Sequence, residues 1–563
     1  MQGGGNGPRF ARMDASRASS GHRTPLGWLL LPYMLGLVVA KLSPVALPVL
    51  PLLGAAIAIL GLSTAIARHR PRTWIATLAL GLVLLGAGTY DWRRARQLDW
   101  DDWPVREAEI TVKITRTFAG ATGPDSLSGM AIVLHADRHL RALENQRIAV
   151  SLRLDPALPA PFRGVTLRVR GVLEPLPRRP PEDPFVEYLV DSGANFRLGR
   201  GRVLEVVHPG TGYARLREAA RLRASAFLGR GLERHPELAG ALRGMLLGER
   251  QGLSGEQEAL YLESGTMHLF AISGLHISVI AGGVIVLLRA LRLRPWPQFL
   301  LAAVILWGYV DLTGAVPSAV RAWLMVVCLH GAMVVRAPGN VASALAASAL
   351  LVLLLDPMQL FGAGFQMSYG IVAALLLYGV PMAERWHQAV RPWVLVPAVA
   401  LVWWQRTIIR ACRCLQSSMA IGLAAALIGT ISGVAFFGIF TPAAIVANLP
   451  LIPLASAAIL AGFASLLSGM AGLTPLVVLF NHAGALVLLL MQQILEWIIR
   501  VPGASAPAEF RARWIGETAI LLLLATMLWG YSTSWSRRSA GFWPPVLVTF
   551  LILLLGMRFV DPA

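Results

Sequence analysis

Long apolar runs are the feature of this sequence that most restricts its fold. Several of them reach about 20 residues, the length that an α-helix needs to cross the hydrocarbon core of a bilayer. Only 14% of the 563 residues are charged, whereas soluble globular proteins have roughly 25%. The sequence therefore predicts a polytopic α-helical membrane protein with about 13 spans.

Changes in composition divide the chain into five predicted regions. The tail is rich in Gly, Ser and Arg and has no apolar period, which is typical of disorder. Further along, the apolar runs give way to alternation for about a hundred residues. The predicted regions are a disordered basic tail (1–25), three N-terminal transmembrane helices (26–92), a β domain (105–207), an amphipathic basic helix (211–234) and a larger transmembrane domain (236–563).

Basic residues near the first apolar run predict the orientation of the chain. Arg9 and Arg12 precede that run, and cytoplasmic segments carry an excess of Lys and Arg. Three crossings from a cytoplasmic N-terminus place the β domain outside the cytoplasm. Arg93, Arg94 and Arg96 follow the third run and oppose this topology without overturning it.

The β domain is predicted from a period of two. Ile110, Val112 and Ile114 alternate with polar neighbours, and the same pattern recurs in later segments of the domain. About five strands in a hundred residues suit a small barrel such as an OB-fold, although a sandwich gives the same pattern.

Arginines give this domain a basic polar face. The four that we predict to contact nucleic acid are Arg147, Arg153, Arg168 and Arg170. A basic face on an OB-like barrel suits single-stranded nucleic acid, because grooves in such barrels follow the phosphates. The alternative is an ordinary solvated surface. The net charge of +19 fits anionic partners, but positive cytoplasmic loops alone also make membrane proteins basic.

Region 211–234 alternates arginines with apolar side chains in a helical pattern. Arg217 and Arg221 are its candidate DNA-binding residues. Such a helix can lie in the headgroup plane with its arginines on lipid phosphates, or it can offer a rail for a nucleic-acid backbone. We favour the membrane-surface interpretation.

The most polar stretch inside the apolar region is GTMHLFAISGLHIS, residues 265–278. Polar groups in apolar surroundings are costly unless they pair or line a wet cavity. The stretch fits a glycine-bent helix start whose hydroxyls bond to their own helix. For the cluster as a whole we favour the lining of a pathway, because intramembrane polar residues tend to mark pathways.

Three further polar clusters lie in the same region. TGAVPSAVR places Ser318 and Arg321 at a helix start, where free amides and a guanidinium favour an anion, or where the arginine snorkels to an interface. GFQMSYG places Gln366 and Ser368 in apolar surroundings, where they can join helices or line a wet path. Asn448 lies between prolines, whose freed carbonyls its amide can satisfy.

Five successive blocks resemble those of the ComEC/Rec2 family of competence proteins. They are GMLLGER, SGTMHLFAISGLHISVIAG, TGAVPSAVRAWLM, GFQMSYG and IFTPAAIVANLPLIPL, and the resemblance covers about residues 236–500. It implies a channel that conducts one strand of incoming DNA across the bacterial inner membrane during natural transformation, with a periplasmic OB-like domain. The channel-lining residues that it implies are Gly265, His268, Ser273, Gly274, His276, Ser318, Arg321, Gln366, Ser368 and Asn448.

The resemblance also implies partners. These are single-stranded DNA, membrane lipid, a separate DNA receptor, a nuclease, and a cytoplasmic motor or single-strand-binding protein. The sequence has no Walker-type G-x-x-x-x-G-K-[ST] motif, so hydrolytic work would come from another protein.

The sequence departs from many family members in one respect. These members carry a metallo-β-lactamase-like nuclease domain with an H-x-H-x-D-H ligand set, and no such run occurs here. The three cysteines offer neither a disulfide framework nor a convincing metal site. We therefore expect no nuclease activity, no metal and no cofactor in this polypeptide, the nuclease domain being either a separate protein or lost.

Two other functional classes remain open. An intramembrane serine protease would use Ser273 as nucleophile and His482 as a distant base, but the leading glycine of the rhomboid G-x-S-G is absent. A secondary transporter of small anions would use broken helices and Arg321. That class shows no evident internal repeat and leaves the basic β domain unexplained.

Overall fold

The computed structural model describes most of the chain. The predicted disordered tail (1–25) lies outside the described residues, as does Arg96. The described ranges are residues 26–43, 48–66, 71–95, 100, 103–118, 126–155, 161–177, 183–335, 341–390, 392–397, 400–536 and 541–560.

Three helices form the N-terminal part, as the apolar runs predict. They are α1 (Gly27–Leu42), α2 (Val49–Ile66) and α3 (Pro71–Ala95), and both α1 and α2 pack on α3. The α1–α3 contact is between backbones. A Cβ atom added at Gly36 would lie 2.0 Å from the Val83 carbonyl oxygen. Small residues allow such close approach of membrane helices, so this glycine determines the packing.

The β domain is a closed five-stranded barrel. Its strands are β1 (Arg106–Thr117), β2 (Ser126–Ala136), β3 (Arg147–Arg153), β4 (Thr166–Pro175) and β5 (Phe196–His208). The strand order is β1-β2-β3-β5-β4, with β3 and β5 parallel and the other pairs antiparallel. The alternating apolar side chains Ile110, Val112 and Ile114 are buried inside. The predicted OB-like barrel is confirmed, and the sandwich alternative is wrong.

Two helices connect this barrel to its surroundings. Helix α4 (Pro184–Asp191) lies between β4 and β5, and its first turn is capped by the Asp183 carboxylate, which accepts bonds from two backbone N–H groups. Helix α5 (Gly212–Gly229) follows β5 and is capped by Thr211. It occupies most of the predicted amphipathic region.

The remaining helices build the larger transmembrane domain. They are α6 (Pro236–Leu247), α7 (Gly255–Glu263), α8 (Gly274–Ala290), α9 (Pro295–Leu312), α10 (Pro317–Val334), α11 (Val341–Leu355), α12 (Ala363–Ala374), α13 (Val380–Ala389), α14 (Trp403–Phe437), α15 (Ala443–Met470), α16 (Thr474–Ile499), α17 (Arg513–Ser532) and α18 (Trp543–Gly556). A π-helical turn (Leu375–Gly379) joins α12 to α13, and short 3-10 helices at Met267–Phe270 and Pro357–Phe361 precede α8 and α12.

Seven helices in the described ranges are long and apolar enough to cross a membrane, and five shorter apolar helices accompany them. This confirms the polytopic fold class. The apolar runs at 394–409 and 420–439, which the sequence predicts as separate spans, are not separate: residues 392–397 form turns and a bend, and a single 35-residue helix, α14, begins at Trp403. Arginines interrupt the hydropathy there, but they do not interrupt the backbone hydrogen bonds of the helix.

Helix α10 connects two groups of packed helices. Helix α8 packs against α9, α10 and α15, while α14 packs against α12, α13 and α17. Helix α10 contacts both α8 and α12. A small sheet of β6 (Ile439–Phe440), β7 (Ala506–Phe510) and β8 (Met557–Phe559) was not predicted, because such short strands carry no clear alternation.

The α1–α3 contact makes a testable prediction. We expect Gly36→Ala to lower the thermal unfolding midpoint of the purified chain in detergent, because the backbones must separate, and overpacking costs about 1–3 kcal/mol. Gly54→Ala on α2 is the matched control, since its Cβ would meet no atom within 4 Å. Equal midpoints for the two variants would contradict the backbone packing.

Candidate functional site

The polar stretch before α8 is closed by its own side chains. Ser273 is the N-cap of α8, and His276 lies three residues later. The Ser273 backbone N–H donates to His276 Nδ1 (3.3 Å), and Ser273 Oγ lies 3.1 Å from the same nitrogen. His276 is fully buried. It therefore takes the place of the Glu or Gln in a capping box and fixes the start of the helix.

Neighbouring blocks hold this stretch from two sides. Ser318, at the start of α10, donates from Oγ to the Ile272 carbonyl oxygen at 2.7 Å. Gly265 has a φ of +68°, and a Cβ there would lie 3.0 Å from Thr441 Oγ1. A side chain at this position would be strained and crowded, which explains the glycine. Three sequence blocks thus meet at one loop.

Arg321 is a buried cation with neutral partners. One Nη2 donates to the Gly364 carbonyl oxygen (2.8 Å) and to Ser368 Oγ (3.0 Å), and Nη1 lies 3.5 Å from Gln359 Oε1. The arginine is 6% exposed, and no carboxylate among the described residues pairs with it. Its positive charge is therefore bound but not neutralised.

Gln366 and Asn448 differ in their surroundings. Gln366 Nε2 lies 3.3 Å and 3.4 Å from the carbonyl oxygens of Leu360 and Phe361, so it supports the 3-10 helix before α12. Asn448 is half-buried on α15, and its Oδ1 has no hydrogen-bond partner within the described ranges. An unsatisfied amide oxygen of this kind favours water or a ligand nearby.

One face of the loop and of α8 is open. His268 is reachable by a water-sized probe although it lies deep in the protein, as a side chain lining an internal cleft would be. Gly274, Ser278 and Gly282 follow at four-residue intervals on an exposed face of α8. Added Cβ atoms at the two glycines would meet nothing within 4 Å. The open face therefore consists of one histidine and small residues.

On the barrel, one carboxylate neutralises part of the predicted basic face. Glu109 forms ion pairs with Arg168 (2.6 Å) and Arg170 (2.7 Å) across β1 and β4. The hydrogen bond from Arg170, with the charge of Arg168, holds the pKa of the Glu109 carboxyl below its usual range. Both arginines are thus partly committed within the barrel.

The barrel has a basic groove of about 390 Å³ on its outer surface. Of the predicted arginines it contains Arg153, and Arg147 is not among its lining residues. Arg197 and Arg200 of β5 line it together with Glu174. We call this set the basic groove. The sequence analysis did not select the β5 arginines, although the alternation in FRLGRGRV indicated them.

Strand register extends the basic groove into a row of cations. Arg153 of β3 is paired with Arg202 of β5, and Arg202 is paired with Arg170 of β4. Side chains directly opposite each other on neighbouring strands lie on the same face. The row therefore crosses three strands on the outside of the barrel.

Arg217 and Arg221 have partners inside the protein. Arg221 pairs with Glu218 (2.7 Å) and with Glu249 of the GMLLGER block, and Ser225 Oγ also donates to Glu249. Arg217 is only 12% exposed in its side chain and donates to the Arg163 carbonyl oxygen. Their contact with DNA stays a prediction, while the observed bonds attach α5 to its neighbours.

Asp311 joins three parts of the molecule. It lies near the end of α9 and is buried. Its Oδ1 accepts a bond from Arg163 Nη1 of the barrel at 2.8 Å, and its Oδ2 accepts one from the Tyr213 hydroxyl of α5 at 2.8 Å. Arg217 Nη1 lies 3.9 Å from Oδ1. We call this group the Asp311 joint, because it fixes the barrel to the membrane domain.

The protease alternative lacks its predicted pair. The Ser273 hydroxyl contacts His276, whereas His482 Nδ1 contacts the Val478 carbonyl oxygen. Nor does any carboxylate within the described ranges hydrogen-bond His276, as a base in a triad requires. The geometry therefore gives no support to serine hydrolase chemistry.

The Asp311 joint can be tested by one substitution. We expect Asp311→Asn to increase amide hydrogen exchange at residues 161–165 and 212–217, because charged hydrogen bonds worth about 2 kcal/mol are lost. Exchange within the barrel strands should not change. Glu263→Gln, at an exposed carboxylate on α7, is the control. If Asp311→Asn gives the same exchange as Glu263→Gln, the carboxylate does not hold the barrel.

Comparisons with known proteins agree with the five sequence blocks. ComE operon protein 3 of Bacillus subtilis (strain 168) is 33% identical over 142 residues, which are 25% of this chain and 18% of that protein. The match thus spans less than a fifth of that relative's length. No solved structure matches the chain. The family model described as "Competence protein" matches residues 245–533, just over half of the sequence, and the chain therefore belongs to the competence protein family.

Proposed function

We propose that this chain conducts single-stranded DNA across the bacterial inner membrane during natural transformation. The observation that carries the proposal is the basic groove on an OB-like barrel that is joined to a membrane domain of the competence family. OB-folds bind single strands through cationic grooves that follow the phosphates. The proposed orientation has a cytoplasmic N-terminus and a periplasmic barrel.

The membrane domain has to offer the strand a wet and weakly binding path. A phosphate backbone cannot enter hydrocarbon, and too many fixed cations would hold the strand. His276, Ser318, Gln366 and Ser368 spend polar atoms on bonds within the fold, so we assign them to the framework of the path. We assign its lining to His268 and the open face of α8.

Arg321 is the cation that we propose for phosphates inside the membrane domain. Its acceptors are neutral, so it keeps a full charge. Gly364, which accepts one of its bonds, is exposed and is the point from which an anion can reach the guanidinium. A small-anion transporter could use the same arginine, but it would leave the basic groove without a role.

We also assign the other steps of DNA uptake to other proteins. We propose that a separate receptor delivers DNA, a separate nuclease removes one strand, and a motor or single-strand-binding protein in the cytoplasm draws in the other. This assignment rests on the sequence, which contains neither an H-x-H-x-D-H nor a Walker-type motif.

The basic groove makes a quantitative prediction. We expect the triple variant Arg153→Gln, Arg197→Gln, Arg200→Gln of the full chain in detergent to bind a single-stranded oligonucleotide more weakly. Each lost phosphate contact should reduce the slope of log affinity against log salt by about 0.7. Arg138→Gln with Arg141→Gln, at exposed arginines on the barrel outside the groove, is the charge control. An unchanged affinity and slope in the triple variant would refute the groove.

The same variant tests the role in cells. Deletion of the gene should abolish recovery of a marker from added DNA, and the unaltered gene should restore it. The groove variant, produced at equal membrane levels, should restore fewer transformants than the control variant. Normal transformation after deletion would refute the proposed function, and uptake of small anions by proteoliposomes without DNA would favour the transporter.

Glu109 predicts a dependence on pH. Its folded-state pKa is lowered, so the carboxylate and its ion pairs persist above the usual carboxyl range and are lost as pH falls through the lowered value. Glu109→Gln should free Arg168 and Arg170 at neutral pH and raise single-strand affinity several-fold. Binding by the unaltered protein should approach that of the variant on acidification. Glu144→Gln on the same barrel is the control, and equal affinities for all three proteins would contradict the pairing.

A further inference from the structure

An aromatic cluster lies on the outside of the barrel beside α4. It consists of Phe118, Phe185 and Tyr188, whose ring centroids are 6.1–6.3 Å apart. Phe185 is 45% exposed and Tyr188 is 38% exposed. Large exposed rings on a membrane protein's soluble domain call for a partner, because their burial elsewhere would stabilise the fold.

A guanidinium accompanies the rings. Arg116 Nη1 donates to the Tyr188 hydroxyl at 2.5 Å, and the guanidinium carbon lies 5.5 Å from the centre of the Phe118 ring. Within the described ranges no carboxylate forms an ion pair with Arg116. The aromatic cluster therefore combines apolar faces with an uncompensated positive charge.

The position of α4 explains why these rings are presented. Oligonucleotides usually bind OB-folds on the outer face of strands β2 and β3. Here Met130 of β2 and Ala149 of β3 are buried in a small apolar cluster with Leu189 of α4, so α4 covers part of that face. A strand that crosses the barrel would meet the exposed side of α4, where Phe185 and Tyr188 lie, instead of the bare sheet.

We propose that the aromatic cluster stacks the unpaired bases of single-stranded DNA while the basic groove holds its phosphates. The inference rests on the proposed function and adds a base-binding site to it. Aromatic rings stack any base with little sequence preference, which suits a protein that must accept any incoming DNA. Arg116 adds charge that fits the phosphates.

The aromatic cluster also lies next to the membrane domain. Helix α4 packs against the 3-10 helix Pro357–Phe361. Gln359 of that 3-10 helix is one of the partners of Arg321. The cluster is thus carried by the part of the barrel that contacts the membrane domain beside its buried cation, which places stacked bases close to the proposed path.

Abasic DNA separates stacking from phosphate binding. The full chain in lipid nanodiscs is titrated with an oligothymidylate and with a strand of equal length that has abasic sites throughout. We expect the base-bearing strand to bind about tenfold more tightly, as the loss of one stacked base would give. In the Phe185→Leu, Tyr188→Leu variant the two strands should bind equally, with the abasic affinity unchanged.

Three controls keep the result interpretable. Leu204→Ala, at an exposed apolar residue of β5 that is 46% exposed, should keep the tenfold difference. Tyr188→Phe retains the ring and should keep it too, and equal melting of all variants shows that they fold.

The outcomes distinguish this inference from the proposed function. A double variant that still discriminates the strands overturns the stacking site, and so does an unaltered protein that never discriminates them. If the double variant still discriminates and is destabilised only in nanodiscs, the rings contact the bilayer surface instead. If neither strand binds the unaltered protein, the proposed function fails as well.

Discussion

The attachment of the barrel to the membrane domain depends on one buried carboxylate. Asp311 lies near the end of a membrane helix and accepts bonds from a barrel arginine and from the tyrosine of the connecting helix. A buried charge is tolerated only when it is paired and hydrogen-bonded, so these partners and the carboxylate require each other. The basic groove and the aromatic cluster are aimed by this joint, because both are fixed features of the rigid barrel.

Sequence periodicity predicted the barrel well, because its physical basis is local. Ile110, Val112 and Ile114 have to point inward if their polar neighbours are to reach water, and this decides strand and face together. Hydropathy predicted the membrane fold, but it divided α14 in two, since a transfer scale responds to arginines and a helix does not. The strands β6 to β8 could not be predicted, because their pairing depends on segments far apart in the chain.

The candidate site was predictable as a set of positions, but its roles were not. The sequence showed Ser273, His276 and Ser318 as polar residues in apolar surroundings, and only the structure shows that they bond to each other or to the backbone. Arg168 and Arg170 looked like free cations because Glu109, their partner, is about sixty residues away in sequence. Arg197 and Arg200 joined Arg153 only when the parallel pairing of β3 and β5 was known. Their DNA contacts remain predictions.

The length of α14 has a consequence for the membrane surface. An α-helix rises 1.5 Å per residue, so these 35 residues extend about 52 Å, whereas the hydrocarbon core is about 30 Å thick. Roughly 20 Å of the helix, if it stands upright, must project beyond the acyl chains. Its first turns carry Arg406, Arg410 and Arg413. The protein thus raises a cationic mast above the headgroups, to which anionic lipids would be drawn as a local annulus.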